Sequence, residues 1–170
     1  AQLSHEYLIE QLQFTGTDSI DASSGPDNMK SLRMNFNHPC KELIWTIRRD
    51  AENNGLPFWN NFGDCYVAPA DDVTNPFKAT VGGAVTAATL SANDYTSNNN
   101  PVMQAKIMLN GNDRFATRKG DYFSIVQPYQ HHENTPGENH KGINVYSFAL
   151  KPEEHQPSGT LNMSRIDTAV

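Results

Sequence analysis

The chain has 170 residues, 37% hydrophobic and 19% charged, with 13 Lys and Arg against 19 Asp and Glu for a net charge of −6. That length suits a single domain whose core needs neither metals nor disulfides, and the longest apolar runs fall far short of a bilayer, as in a soluble globular protein. The acidic balance argues against nucleic acid as a direct partner: cations occur only in small groups such as Arg48-Arg49 and Arg118-Lys119, and phosphate binding scales with the cations supplied.

Cys40 and Cys65 are too few and too isolated for a zinc motif, and buried thiols suit assembly inside a cell. No secretory leader pattern opens the chain, and residue 1 is not Met. Gly numbers 11 and Pro 10, and no apolar three-four period persists over four turns, which predicts little helix.

In chain order, YLIEQLQF (Tyr7 to Phe14) fits a helix through Leu8 and Leu12. It also fits a strand through Leu8, Leu12 and Phe14, and strand is the assignment made. SLRMNFN (Ser31 to Asn37) alternates Leu32, Met34 and Phe36 with polar neighbours, and ELIWTIRR (Glu42 to Arg49) puts Leu43, Trp45 and Ile47 on one face. His38-Pro39 breaks the two apart. AKIMLNG (Ala105 to Gly111), YFSIVQ (Tyr122 to Gln127), INVYSFAL (Ile143 to Leu150) and TLNMSRI (Thr160 to Ile166) read as further strands. INVYSFAL is largely apolar on both faces, as expected inside a sandwich. Residues 51–101 form a long surface loop insertion, with short strands of its own expected around Ala79 to Leu90. Short strands punctuated by Gly, Pro and Asn predict an all-β antiparallel β-sandwich or jelly roll.

Candidate chemistry is sparse. His131, His132, Glu133 and His140 cluster in sequence, and PGENHKGIN (Pro136 to Asn144) resembles the second metal motif of cupins, so a cupin-like metal-binding β-barrel enzyme is the alternative function. Against it, adjacent histidines in a strand point to opposite faces, whereas a metal pair needs one face. Glu153 and Glu154 are also adjacent, in a turn fixed by Pro152 and Pro157, which presents them outward instead of converging them on a substrate. GxSxG, HExxH and a phosphate-cradling glycine loop are all missing from the sequence. His38 two positions before Cys40 is no activated dyad. Asn110-Gly111 reads as a tight turn, with Arg114 available to an acid. Asn162-Met163-Ser164 is the one sequon, making Asn162 the glycosylation candidate. Trp59 and Tyr95 would serve a lectin-like reading. His131, His132, His140 and His155 could make assembly sensitive to pH.

Taken together, LRMNFNHPCKELIW, LNGNDRF, DYFSIVQPYQHH and GINVYSFALKPEEHQPSGTLNMSRID resemble the major capsid proteins of nucleocytoplasmic large DNA viruses, motif by motif and in order, from about Tyr7 to Asp167. The resemblance implies a double jelly-roll protein, a homotrimer of pseudo-hexagonal outline that tiles an icosahedral shell over an internal membrane. On it the chain is expected to hold the second jelly roll, as a fragment lacking the first jelly roll and the closing C-terminal strand. The expected partners are further copies, neighbouring capsomers and minor capsid proteins, in a virion assembled in the host cytoplasm. No enzymatic activity, catalytic residue, metal or cofactor is expected. In that setting Lys151, Pro152, Glu153, Glu154, His155, Gln156, Pro157, Ser158 and Gly159 form a structural turn. The prolines fix backbone angles and Gly159 relaxes them, which delivers the flanking strands in register.

Overall fold

The structure, a computed structural model, describes residues 4–20, 29–48, 100–136 and 141–170. Residues 51–99 of the expected insertion, with Trp59, Cys65, the strands around Ala79 to Leu90 and Tyr95, lie outside the described residues, as does His140. Eight short strands occur among those described: β1 (Pro39–Cys40), β2 (Glu42–Thr46), β3 (Gln104–Ala105), β4 (Met108–Leu109), β5 (Asn112–Asp113), β6 (Arg118–Lys119), β7 (Ile143–Ser147) and β8 (Leu161–Asn162). They pair antiparallel as β1 with β8, β2 with β7, β3 with β6 and β4 with β5. The chain divides into two compact units.

One unit comprises Glu42–Ala105 and Thr117–Ser147. Its spine is the five-rung ladder from Glu42↔Ser147 to Thr46↔Ile143. The alternation read in ELIWTIRR appears here as burial: Leu43 is 7% exposed and Ile44 57%. β7 is buried from Asn144 to Ser147 on both faces, as its sequence implies. Buried polar groups on such a strand need partners, and they have them. Asn144 Oδ1 accepts from Asn100 Nδ2 at 2.6 Å, Asn144 Nδ2 donates to the Gly142 carbonyl at 3.1 Å, and Ser147 N donates to Gln127 Oε1 at 3.0 Å.

YFSIVQ is not the strand its β-branched and aromatic residues suggest. Tyr122–Val126 is a π-helical turn that runs into α1 (Gln127–His131), with Pro128 in the first turn of α1. Pro128 has no N–H to donate, and it follows directly on the π-helical turn, where the regular helical ladder is already interrupted. Tertiary packing overrides propensity: Phe123 is fully buried, with Trp45 at 5.2 Å and Tyr122 at 5.2 Å in edge-to-face geometry. Gln127 is 4% exposed and reaches from α1 to the ladder at Ser147, while its Nε2 donates to the Tyr122 hydroxyl at 3.0 Å. A strand would carry Gln127 away from both partners.

The other unit comprises Ala1–Lys41, Lys106–Ala116 and Phe148–Val170. Asn110-Gly111 makes the expected tight turn between β4 and β5, with positive φ at both residues (51° and 78°), as a type I′ hairpin requires. Asn110 does more than turn the chain. Its Oδ1 accepts from Asp167 N at 2.8 Å and Thr168 N at 3.1 Å, which lays residues 167–170 along β4, where Val170 and Met108 exchange backbone hydrogen bonds. AKIMLNG, read as one strand, instead holds the last residue of β3 and the two residues of β4. TLNMSRI pairs only through β8 before a 3-10 turn (Met163–Arg165) that buries Met163. Tyr7 to Phe14 and Ser31 to Asn37 hold no assigned strand, although Met34 N donates to the Ala169 carbonyl at 2.9 Å. Among the described residues, no helix is long and apolar enough to cross a membrane.

Candidate functional site

The Lys151–Gly159 turn is built from its own side chains and from one lysine distant in sequence. Ser158 Oγ accepts from Lys151 N at 2.8 Å and donates to the Lys151 carbonyl at 3.1 Å, which closes the base of the turn. Pro152 is buried, while Glu153 through Gln156 are exposed. Lys151 Nζ meets Glu154 Oε1 at 3.0 Å across an exposed surface, a pairing of the kind that contributes little stability. Gly159 sits where a Cβ would stand 2.8 Å from the Phe148 carbonyl oxygen and 3.2 Å from the Ala149 Cα. The glycine therefore lets two backbone segments approach closely.

Lys41 is what fixes the turn in place. Phe148 N donates to the Lys41 carbonyl at 2.8 Å. The Lys41 ammonium, only 17% exposed, donates to the Glu154 carbonyl at 2.6 Å and the His155 carbonyl at 3.4 Å, and it pairs with the Glu10 carboxylate. That hydrogen bond holds the Glu10 carboxyl below its ordinary range, against a smaller opposing effect of burial. Lys41 was not legible as a site residue, since its partners lie 31, 113 and 114 positions away.

The other sequence-predicted residues do not converge on one centre. His131 is the last residue of α1 and His132 caps it, so the pair sits at a helix end. His132 Nε2 lies 2.9 Å from Glu42 Oε2, an ion pair when the imidazole is protonated. Among the described residues no three His, Cys, Asp or Glu side chains come together as a metal-binding group. Glu154 is engaged with Lys151, and Glu153 and Glu154 are both exposed. Asn162 is exposed and its Oδ1 accepts from Ser164 N at 3.1 Å, while Ser164 Oγ accepts from His38 N at 2.8 Å. Both polar side chains of the sequon are thus in use, Asn162 on the start of the 3-10 turn and Ser164 on His38, whose φ is positive.

A strand framework whose polar chemistry is spent on closing turns points to a structural protein, and the fold neighbours place it among all-β viral shell proteins of the jelly-roll class. A structure of the PBCV-1 virus capsid matches at TM-score 0.50 and 40% identity over 81% of this chain and 31% of that one. The Faustovirus major capsid protein, at 14% identity and TM-score 0.50, covers 79% of this chain and shares the fold. More particularly, the chain belongs to the family of large eukaryotic DNA virus major capsid proteins, whose profile matches residues 1–170. It is 46% identical to the major capsid protein of Paramecium bursaria Chlorella virus 1 and 41% identical to that of Phaeocystis pouchetii virus, each over 99% of this chain. The chain spans only 36% and 42% of those two proteins. These relatives are structural proteins, not enzymes.

Proposed function

We propose that the chain is the second jelly roll of a double jelly-roll major capsid protein, and that its work is self-association into trimeric capsomers that tile an icosahedral shell. Neighbouring capsomers and minor capsid proteins are its further partners. An internal membrane lies beneath the shell, and assembly takes place in the host cytoplasm. Chief support comes from the family match along the whole of residues 1–170. The Lys151–Gly159 turn agrees with it, since its geometry sets backbone shape and converges no reactive groups. On this reading residues 51–101 are an outward excursion that faces the host or clasps the trimer. Quantitative mass spectrometry of purified virions tests the reading: this chain should rank among the most abundant polypeptides and co-purify with the shell after the membrane is stripped. Trace abundance, or loss with the membrane fraction, would overturn it.

A further inference from the structure

Asn110 and Gly111 are both exposed at the tip of the β4–β5 hairpin. The rungs of that ladder are Leu109↔Asn112 and Met108↔Asp113, so neither uses the Gly111 N–H. Glycine has no side chain to shield its nitrogen, and nothing lies within 4 Å of where a Cβ would stand on Gly111. An asparagine followed by such a nitrogen can lose its carboxamide unaided. The Gly111 nitrogen gives up its proton and bonds to Asn110 Cγ, the Cγ–Nδ2 bond breaks, and Nδ2 leaves with a proton as ammonia. Water then opens the cyclic imide at one of its two carbonyls and leaves aspartate or isoaspartate in place of Asn110.

The folded chain holds that carboxamide back. Asn110 Oδ1 accepts from Asp167 N at 2.8 Å and Thr168 N at 3.1 Å, and Asn110 N donates to the Thr168 carbonyl at 2.7 Å. Ring closure needs rotation about the Asn110 side-chain bonds and its own ψ, and these three bonds oppose both. Residues 167–170 are held in turn: Val170 and Met108 exchange backbone hydrogen bonds, Met34 N donates to the Ala169 carbonyl, and Ala169 is 4% exposed. We propose that Asn110-Gly111 is a spontaneous deamidation site gated by residues 167–170, reactive while they are lifted from β4. An aspartate formed there still accepts both N–H bonds. An isoaspartate threads the backbone through the side-chain carbon and lengthens a two-residue turn whose φ values of 51° and 78° match its strands, so residues 167–170 do not settle back. The hairpin tip thereby keeps an irreversible record of their opening, whether or not the chain assembles into capsomers.

The test is peptide mapping by mass spectrometry of the natural full-length protein, incubated in mildly alkaline buffer, which separates Asn110 from Asn54-Gly55, the chain's other such pair. Two hydrogen bonds on Oδ1 should slow deamidation of Asn110 about tenfold to a hundredfold relative to the urea-unfolded chain. Thr168→Pro, which lacks the N–H, and Ala169→Asp, which puts a charge where a methyl is buried, should each bring the folded protein toward the unfolded rate. Sub-denaturing urea on the unaltered protein keeps the test independent of how these variants fold. Amide exchange at Asp167 and Thr168 and deamidation at Asn110 should rise together there, before the far-ultraviolet circular dichroism changes. Native protein deamidating at the unfolded rate, a rate indifferent to both variants, or one that rises only with global unfolding overturns the gate. An Asn110 that stays intact even in the unfolded chain overturns the site itself.

Discussion

Gly159→Ala tests the claim that the Lys151–Gly159 turn is defined by a backbone that leaves no room for a side chain, in space or in its φ of +157°. The new methyl would stand 2.8 Å from the Phe148 carbonyl oxygen and 3.2 Å from the Ala149 Cα, against 3.4 Å for the start of ordinary contact. Both neighbours are main chain, so no side chain can swing aside and the strand itself must give. Overpacking of this kind costs about 1–3 kcal/mol. In a chain of this length each kcal/mol lowers Tm by roughly 2–4 °C, so a fall of about 2–12 °C is expected in a calorimetric melt. Gly111 is the contrasting position, with φ +78° and nothing within 4 Å of an added Cβ. Its cost is conformational, about 1–2 kcal/mol for Ala, and Gly111→Asn should recover most of it because Asn tolerates the left-handed region. Gly159→Asn should recover nothing, since Asn brings the same Cβ against the same backbone and the φ of +157° lies outside the left-handed region that Asn tolerates. A Gly159→Ala protein melting within about 1 °C of the parent, or one rescued by Asn, would refute the reasoning.

Gly120→Ala should be harsher still, because its Cβ would lie 1.8 Å from the Val102 carbonyl oxygen; a loss above about 3 kcal/mol is expected, and a parent-like melt by circular dichroism would contradict it. Phe123→Ala empties a fully buried site against Trp45 and should cost about 3–5 kcal/mol, read as a lower urea midpoint at unchanged slope. The Glu10 carboxyl, depressed by its hydrogen bond to Lys41, should titrate below 4.5 by NMR and return to the ordinary range in Lys41→Met. With a depressed carboxylate, the contact is present above the unfolded-state value and is lost as pH falls through the folded one. The Glu10–Lys41 tie therefore holds at neutral pH and opens only in acid. A Glu10 midpoint at or above 4.5 would contradict this.

What the sequence made legible were the elements whose burial follows local pattern. Leu43, Trp45 and the two-faced β7 declared themselves by alternation, and Asn110-Gly111 by the φ it must adopt. The π-helical turn was misread because Phe, Ile and Val favour strands, whereas in the structure Gln127 reaches Ser147 from a helix. Tyr7 to Phe14 satisfied a strand pattern, yet its Glu10 and Gln13 are bound to Lys41 and Asn37 by partners no local window contains. Long-range polar ties of this sort set the site and leave no periodicity. The family resemblance, in contrast, was carried by whole motifs in order and extends along the full chain.

The most direct test of self-association is the mass in solution of the protein at its natural boundaries, by light scattering with metal analysis of the same sample. A trimer, formed without stoichiometric metal, is the expected result. A monomer at all accessible concentrations, with one bound metal per chain, would contradict the account and return attention to His131, His132, Glu133 and His140.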